Sequence, residues 1–240
     1  MGTFSATANS SSTIGYAQYG SSSWSTGSSS GACQGAYQGT TAAKSRVGGM
    51  VFNGAGAALK GKLIQQISLS ITCSGAGFGS SGKVLTFHKA NYQSLNTSVR
   101  GSAQVGDTLG TLTGKFYSNT VTHTLNASTN AALFSAMKAY FEAGNSALVL
   151  YNGETSSSSG YSSNYARVTS CTITVTYIDA VVWYCDGGSA RSGITQAAHG
   201  SRWFPITIRA AHGCASEREK GSSIRAAFLI QQYNDRRKRI

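Results

Sequence analysis

Between positions 67 and 73 the residues alternate without a break. Ile67, Leu69, Ile71 and Cys73 fall on one side, Ser68, Ser70 and Thr72 on the other. A period of two marks a half-buried β-strand, apolar toward the core and hydroxylated toward water. Residues 47–52 predict a strand before it and residues 83–89 one after it, with Gly and Ser between them as turns require. The three are expected to form the middle of an antiparallel sheet.

Similar runs predict further strands at 13–19, 33–39, 99–105, 109–117, 120–125, 147–152 and 171–177. His123 alternates with Val121 and Leu125, which predicts an inward, hydrogen-bonded core histidine. Residues 128–143 carry the one helical period: Leu133, Phe134, Met137, Tyr140 and Phe141 share a face. Ser128 or Thr129 is the expected N-cap, and Gly144 the stop. Eight to ten strands and one late helix suit an all-β fold, a two-sheet jelly-roll sandwich with a short inserted helix over residues 1–178.

The chemistry is sparse. Charged residues are 12% of the 240, while Gly numbers 29 and Pro 1, which suits hydroxylated rather than ionic outer faces. The acids of residues 1–178 are Asp107, Glu142 and Glu154. They fall in a turn, on the helix and in a loop, so no pair is placed for two-carboxylate hydrolysis. There is no GxSxG and no phosphate-binding loop. The chain is expected to be no enzyme, with no cofactor and no metal. Cys185, His199, His212 and Cys214 make a nominal zinc set without the spacing of known fingers. Five Cys with no CxxC pair argue against a disulfide framework, and Cys73 and Cys171 are expected to be buried free thiols.

The net charge is +12. Residues 1–178 hold seven Lys and three Arg against three acids; residues 179–240 hold two Lys and eight Arg against five. A basic surface suits nucleic acid, acidic polysaccharide, anionic lipid, or solubility alone. The start, MGTFSATANSSS, lacks the basic and apolar regions of a signal peptide, and no window is long enough for a membrane span. A chain made and kept in a cytoplasm until release is the expectation.

Four aromatics are candidate carbohydrate contacts because they lie in polar loops: Trp24 in the Ser/Gly stretch 20–31, Tyr92, and Tyr161 and Tyr165 in a Ser-rich loop. Arg236, Arg237, Lys238 and Arg239 are a candidate contact for phosphate or a partner. Nucleic acid is disfavoured, since no basic and aromatic face is interleaved. In residues 179–240 the glycines 187, 200 and 213 are spaced 13 apart, a pattern that suits degenerate hairpin repeats. Small hairpins bury little alone, so stacking or association of chains is expected, as a homo-oligomer with a trimer favoured.

The stretches SRVGGMVF, KLIQQISLSIT, NSALVLYNGE and NYARVTSCTITVTY resemble the DNRLRE-type jelly-roll. The resemblance covers about residues 3–178. The namesake motif is absent, and Val168 stands where that family often has Pro before its last strand. Arg46 and Arg167 match its arginines, and the resemblance gives them a structural role. The hairpin units are similar to short Tyr/Gly/Trp repeats that trail some phage tail and bacterial surface proteins. Such domains occur on secreted bacterial surface proteins and in phage tails. The resemblance therefore implies a virion structural protein, a tail or fibre component touching bacterial surface polysaccharide and other virion proteins. The alternatives are a carbohydrate-binding module at a bacterial cell surface, which calls for an export signal, and a jelly-roll capsid or decoration protein using its basic tail.

Overall fold

The computed structural model describes residues 1–19, 23–25, 31–38, 43–73, 83–116, 120–155, 160–179, 183–186 and 189–192. The chain divides into two compact units, Met1–Ala180 and Val181–Ile240. The first opens with β1 (Gly2–Ala8), β2 (Thr13–Tyr19), the short β3 (Ser23–Trp24), β4 (Ala32–Gln38) and β5 (Ala43–Val51). Helix α1 (Ala55–Leu59) leads into β6 (Lys62–Cys73), then β7 (Lys83–Ala90), the helical turn α2 (Gly101–Gln104) and β8 (Val105–Gly114). After these come β9 (Thr120–Leu125), α3 (Ala131–Glu142), β10 (Ala147–Leu150), β11 (Gly160–Tyr161) and β12 (Ala166–Asp179). In the second unit β13 (Trp183–Asp186) pairs antiparallel with β14 (Ser189–Ser192). The hairpin glycines 187, 200 and 213 all lie outside the described residues.

The fold of the first unit is all-β. Among the described residues its twelve strands form one antiparallel sheet that curls nearly into a barrel. One run of neighbours is β9, β6, β12 and β1; another is β8, β7, β10, β5 and β2. Strand β4 joins them, pairing with β12 through Ala32, Cys33 and Gln34 and with β5 through Gly35 and Tyr37. The expected middle of the sheet is corrected here. β5, β6 and β7 do not pair with one another: β6 lies between β12 and β9, and β7 between β10 and β8. Alternation fixes which face of a strand is buried; it carries no information about the partner.

The apolar positions of β6 and β12 do become core. Ile67, Leu69, Ile71, Ile173 and Val175 are buried, with Ser and Thr opposite them half-exposed. Hydroxyls pair across the outer face, as in Thr7 with Thr172 and Thr72 with Thr120. Strand β10 is buried on both faces, Leu148 and Leu150 in the main core and Ala147 and Val149 in a second cluster with Ile14, Tyr16 and Val47. Burial on both sides explains its unbroken apolar run. Helix α3 buries the five predicted residues, each worth about 1.5–3 kcal/mol out of water.

Several local expectations give way. Residues 101–104 form α2 instead of a strand. Asn130, at φ 52°, precedes α3 with no side-chain cap. The preceding turn is held by Asn126, whose Oδ1 accepts the amides of Ser128 and Thr129 at 2.9 and 2.8 Å. Gly144 ends the helix as expected, at φ 94° with its amide on the Phe141 carbonyl. His123 is half-buried against the Phe116 ring, but its Nε2 has no hydrogen-bond partner among the described residues. Burial lowers its pKa. Cys33, Cys73 and Cys171 are buried free thiols, and burial pushes the last two up to about 12.

Candidate functional site

The site begins where a strand runs out. β10 ends at Leu150, opposite Phe87, and after the Tyr151 amide has met the Thr86 carbonyl β7 loses its ladder partner on that side. Gln34 of β4, fully buried, replaces it. Its Nε2 donates to the Val84 carbonyl at 2.7 Å, and its Oε1 accepts the Thr86 amide at 2.9 Å. The same Nε2 donates to the Asn164 carbonyl at 2.9 Å, while Asn164 Oδ1 accepts the Val84 amide at 3.0 Å. Two side-chain amides thus continue the sheet and tie loop 160–165 to it.

Glu154 fixes that loop from the other side. Its carboxylate accepts from Ser162 Oγ at 2.7 Å and from the Asn164 amide and Nδ2 at 3.1 and 2.9 Å. Ser162 pairs with Ala36 through both its amide and its hydroxyl. The Lys83 ammonium donates to the Ser163 carbonyl. A loop with this many partners presents its side chains in one geometry.

What it presents is a row of rings. Tyr37, from β4, stands 4.4 Å from Tyr161 at a tilt of 31°. Tyr161 stands 4.5 Å from Tyr165 at 46°. The Arg46 guanidinium, from β5, lies over Tyr165, 5.7 Å from its centroid, within the range of a cation–π contact. Tyr161 is 37% exposed and Tyr165 only 7%. Burial pushes the Tyr165 phenol up to about 12, with the Cys33 thiol adding to the shift and Arg46 opposing it. Cys33 lies beneath, its pKa raised by burial against the pull of Arg46 and Arg167. A thiol so placed is neutral and enclosed, a poor nucleophile. The arrangement is suited to stacking and hydrogen bonding.

Of the four aromatics singled out from sequence, the fold brings Tyr161 and Tyr165 together and leaves the other two elsewhere. Trp24 is half-buried against the second core cluster, its ring 2.7 Å from where Gly101 would carry a Cβ. Tyr92, 37% exposed, follows β7 beside an open cleft of about 800 Å³ between α3 and the β7–β8 edge. Arg236, Arg237, Lys238 and Arg239 lie outside the described residues, as do His199, His212 and Cys214. Among the described residues no three His, Cys, Asp or Glu gather to hold a metal, and no helix is long and apolar enough to cross a membrane. Sequence reading missed Tyr37 as a member of the row, since it sits in a strand, and gave Arg46 a purely structural role.

Comparison with protein-family models found no match, and comparison with curated proteins found none either.

Proposed function

We propose that this chain is a non-enzymatic structural protein of a phage tail or fibre that contacts bacterial surface carbohydrate through the Tyr37–Tyr161–Tyr165 row. The observation that carries the reading is the row itself: a half-exposed tyrosine braced by two more rings on a loop held from both sides. Tyrosine offers an apolar ring and a polar tip at little conformational cost, which suits the mixed surface of a sugar. The virion setting, with release from a host cytoplasm, rests on the family resemblance of residues 3–178. The two strand runs joined by β4 support the two-sheet jelly-roll reading. Assembly into a trimer or larger is part of the proposal, because a hairpin such as β13–β14 is marginal alone.

The test is binding of the full chain to an array of bacterial surface polysaccharides, alongside its Tyr161→Ala variant. Retention of one or more glycans by the native chain, with loss in the variant, supports the reading. Equal binding by both places the contact away from the row. Binding to none removes the carbohydrate role.

A further inference from the structure

The charges around the row define which sugars it suits, an inference that rests on the row being a carbohydrate contact. We propose that it takes acidic sugars, uronates or other carboxylated residues, in preference to neutral ones.

The three described ion pairs, Lys62–Asp179, Lys89–Asp107 and Lys138–Glu142, involve none of the row's residues. At the row the balance differs. The Arg46 guanidinium lies over the Tyr165 ring, and Lys83 is bonded to Ser163 of the same loop. The carboxylate in contact with this loop is that of Glu154, already held by Ser162 and Asn164. Among the described residues two cations, Arg46 and Lys83, meet the row and its loop, against one acid already engaged with Ser162 and Asn164. Arg46 Nε is buried and has no hydrogen-bond partner among the described residues, an uncommon state for a guanidinium donor.

A neutral sugar gains only the stacking and hydroxyl contacts of the rings. A carboxylated sugar adds charge-assisted bonds to a planar guanidinium fork, about twice as strong as neutral ones. The overall charge of +12 raises the local concentration of any polyanion. Single-stranded nucleic acid also stacks on tyrosine, but it calls for a basic groove that tracks a backbone. Here the cations converge on a single row.

The test is calorimetric titration of the full chain with short oligogalacturonates and oligoglucuronates and with their methyl esters, which keep the rings and remove the charge. The acids should bind about tenfold tighter than the esters, and the gap should close as salt rises. Tyr161→Ala should weaken acid and ester alike. Arg46→Gln should abolish only the advantage of the acid, with Arg46→Lys retaining part of it and serving, with circular dichroism, as the check on folding. Equal affinity for acid and ester overturns the preference and leaves the carbohydrate reading standing. Acid binding that survives Tyr161→Ala belongs to another basic surface and also overturns it, as does displacement of the uronate by an equal concentration of a short oligothymidylate. Failure of acids, esters and neutral glycans together is failure of the carbohydrate reading itself.

Discussion

The Tyr161 ring rests 4.5 Å from the Tyr165 ring, and the two differ fivefold in exposure, 37% against 7%. Tyr161→Ala should therefore change stability by less than about 1 kcal/mol while removing glycan binding. Tyr165→Ala should cost about 3 kcal/mol, because it empties a packed site beneath the loop. Urea midpoints of the two variants, set against their glycan binding, separate the roles.

Gln34 gives a sharper effect than its polarity suggests. Gln34→Leu keeps the volume but strips the Thr86 amide and the Val84 and Asn164 carbonyls of their partner. Each orphaned buried group costs about 1–3 kcal/mol, so a loss of roughly 3 kcal/mol or more is expected. Hydrogen exchange at Val84 and Thr86 should accelerate before the rest of the sheet.

Tyr140 is the polar rivet of α3. Its hydroxyl accepts the Ala90 amide at 3.0 Å and donates to the Ala147 carbonyl at 2.8 Å, linking the helix to β7 and β10. Tyr140→Phe should cost about 1–3 kcal/mol in a urea titration, with the helical circular dichroism unchanged.

Alkali should unfold the first unit. Tyr16 and Tyr165, ordinarily at 10.0, and Cys73 and Cys171, ordinarily at 9.0, are all raised to about 12 by burial. A raised folded pKa means that the fold favours the protonated form. The stability from these four is fully present below pH 9 and is lost as pH climbs toward 12. Urea midpoints should hold steady to about pH 9 and then fall. Labelling of Cys73 and Cys171 should accelerate over the same range.

Gly48 tests the VGG run. A Cβ there would lie 2.2 Å from the Cys33 nitrogen and 2.5 Å from the Ala32 carbonyl carbon. Backbone cannot yield as a side chain does, so Gly48→Ala should cost about 3 kcal/mol. Gly61→Ala meets nothing within 4 Å and is strained only by its φ of 70°, so about 1 kcal/mol is expected. Thermal melts of the pair check the contrast.

Strong contrast between faces is what made parts of the fold legible. Ile and Leu against Ser and Thr marked β6 and β12, and the large residues of α3 marked a helical face. Strand β1 was invisible because only Phe4 among its inward residues is large; Ala6 and Ala8 barely differ in hydropathy from the Ser and Thr beside them. Helix α1 was hidden for a similar reason, a five-residue AGAAL turn with little pattern to find. The site was half legible. Tyr161 and Tyr165 stood out in a polar loop, but Tyr37 and Arg46 reach them from β4 and β5, more than a hundred positions away. No local period encodes that meeting. It follows from the pairing of β11 with β4, which sets Tyr161 opposite Tyr37, and from Gln34 and Asn164 bridging β4 and β7 to the rest of the loop.

The pairing of β1 with β12 joins residues 2–8 to residues 171–177. Its consequence lies in biosynthesis. The first strand of this unit to be made waits for the last, with some 160 residues of chain made in between. Contacts so distant in sequence close late and slowly. During that wait β6 also lacks its longest partner, since β12 covers it from Lys62 to Cys73. A nascent chain of this protein therefore carries uncovered strand edges through most of its synthesis, the state in which β-rich chains are most exposed to aggregation and to chaperones.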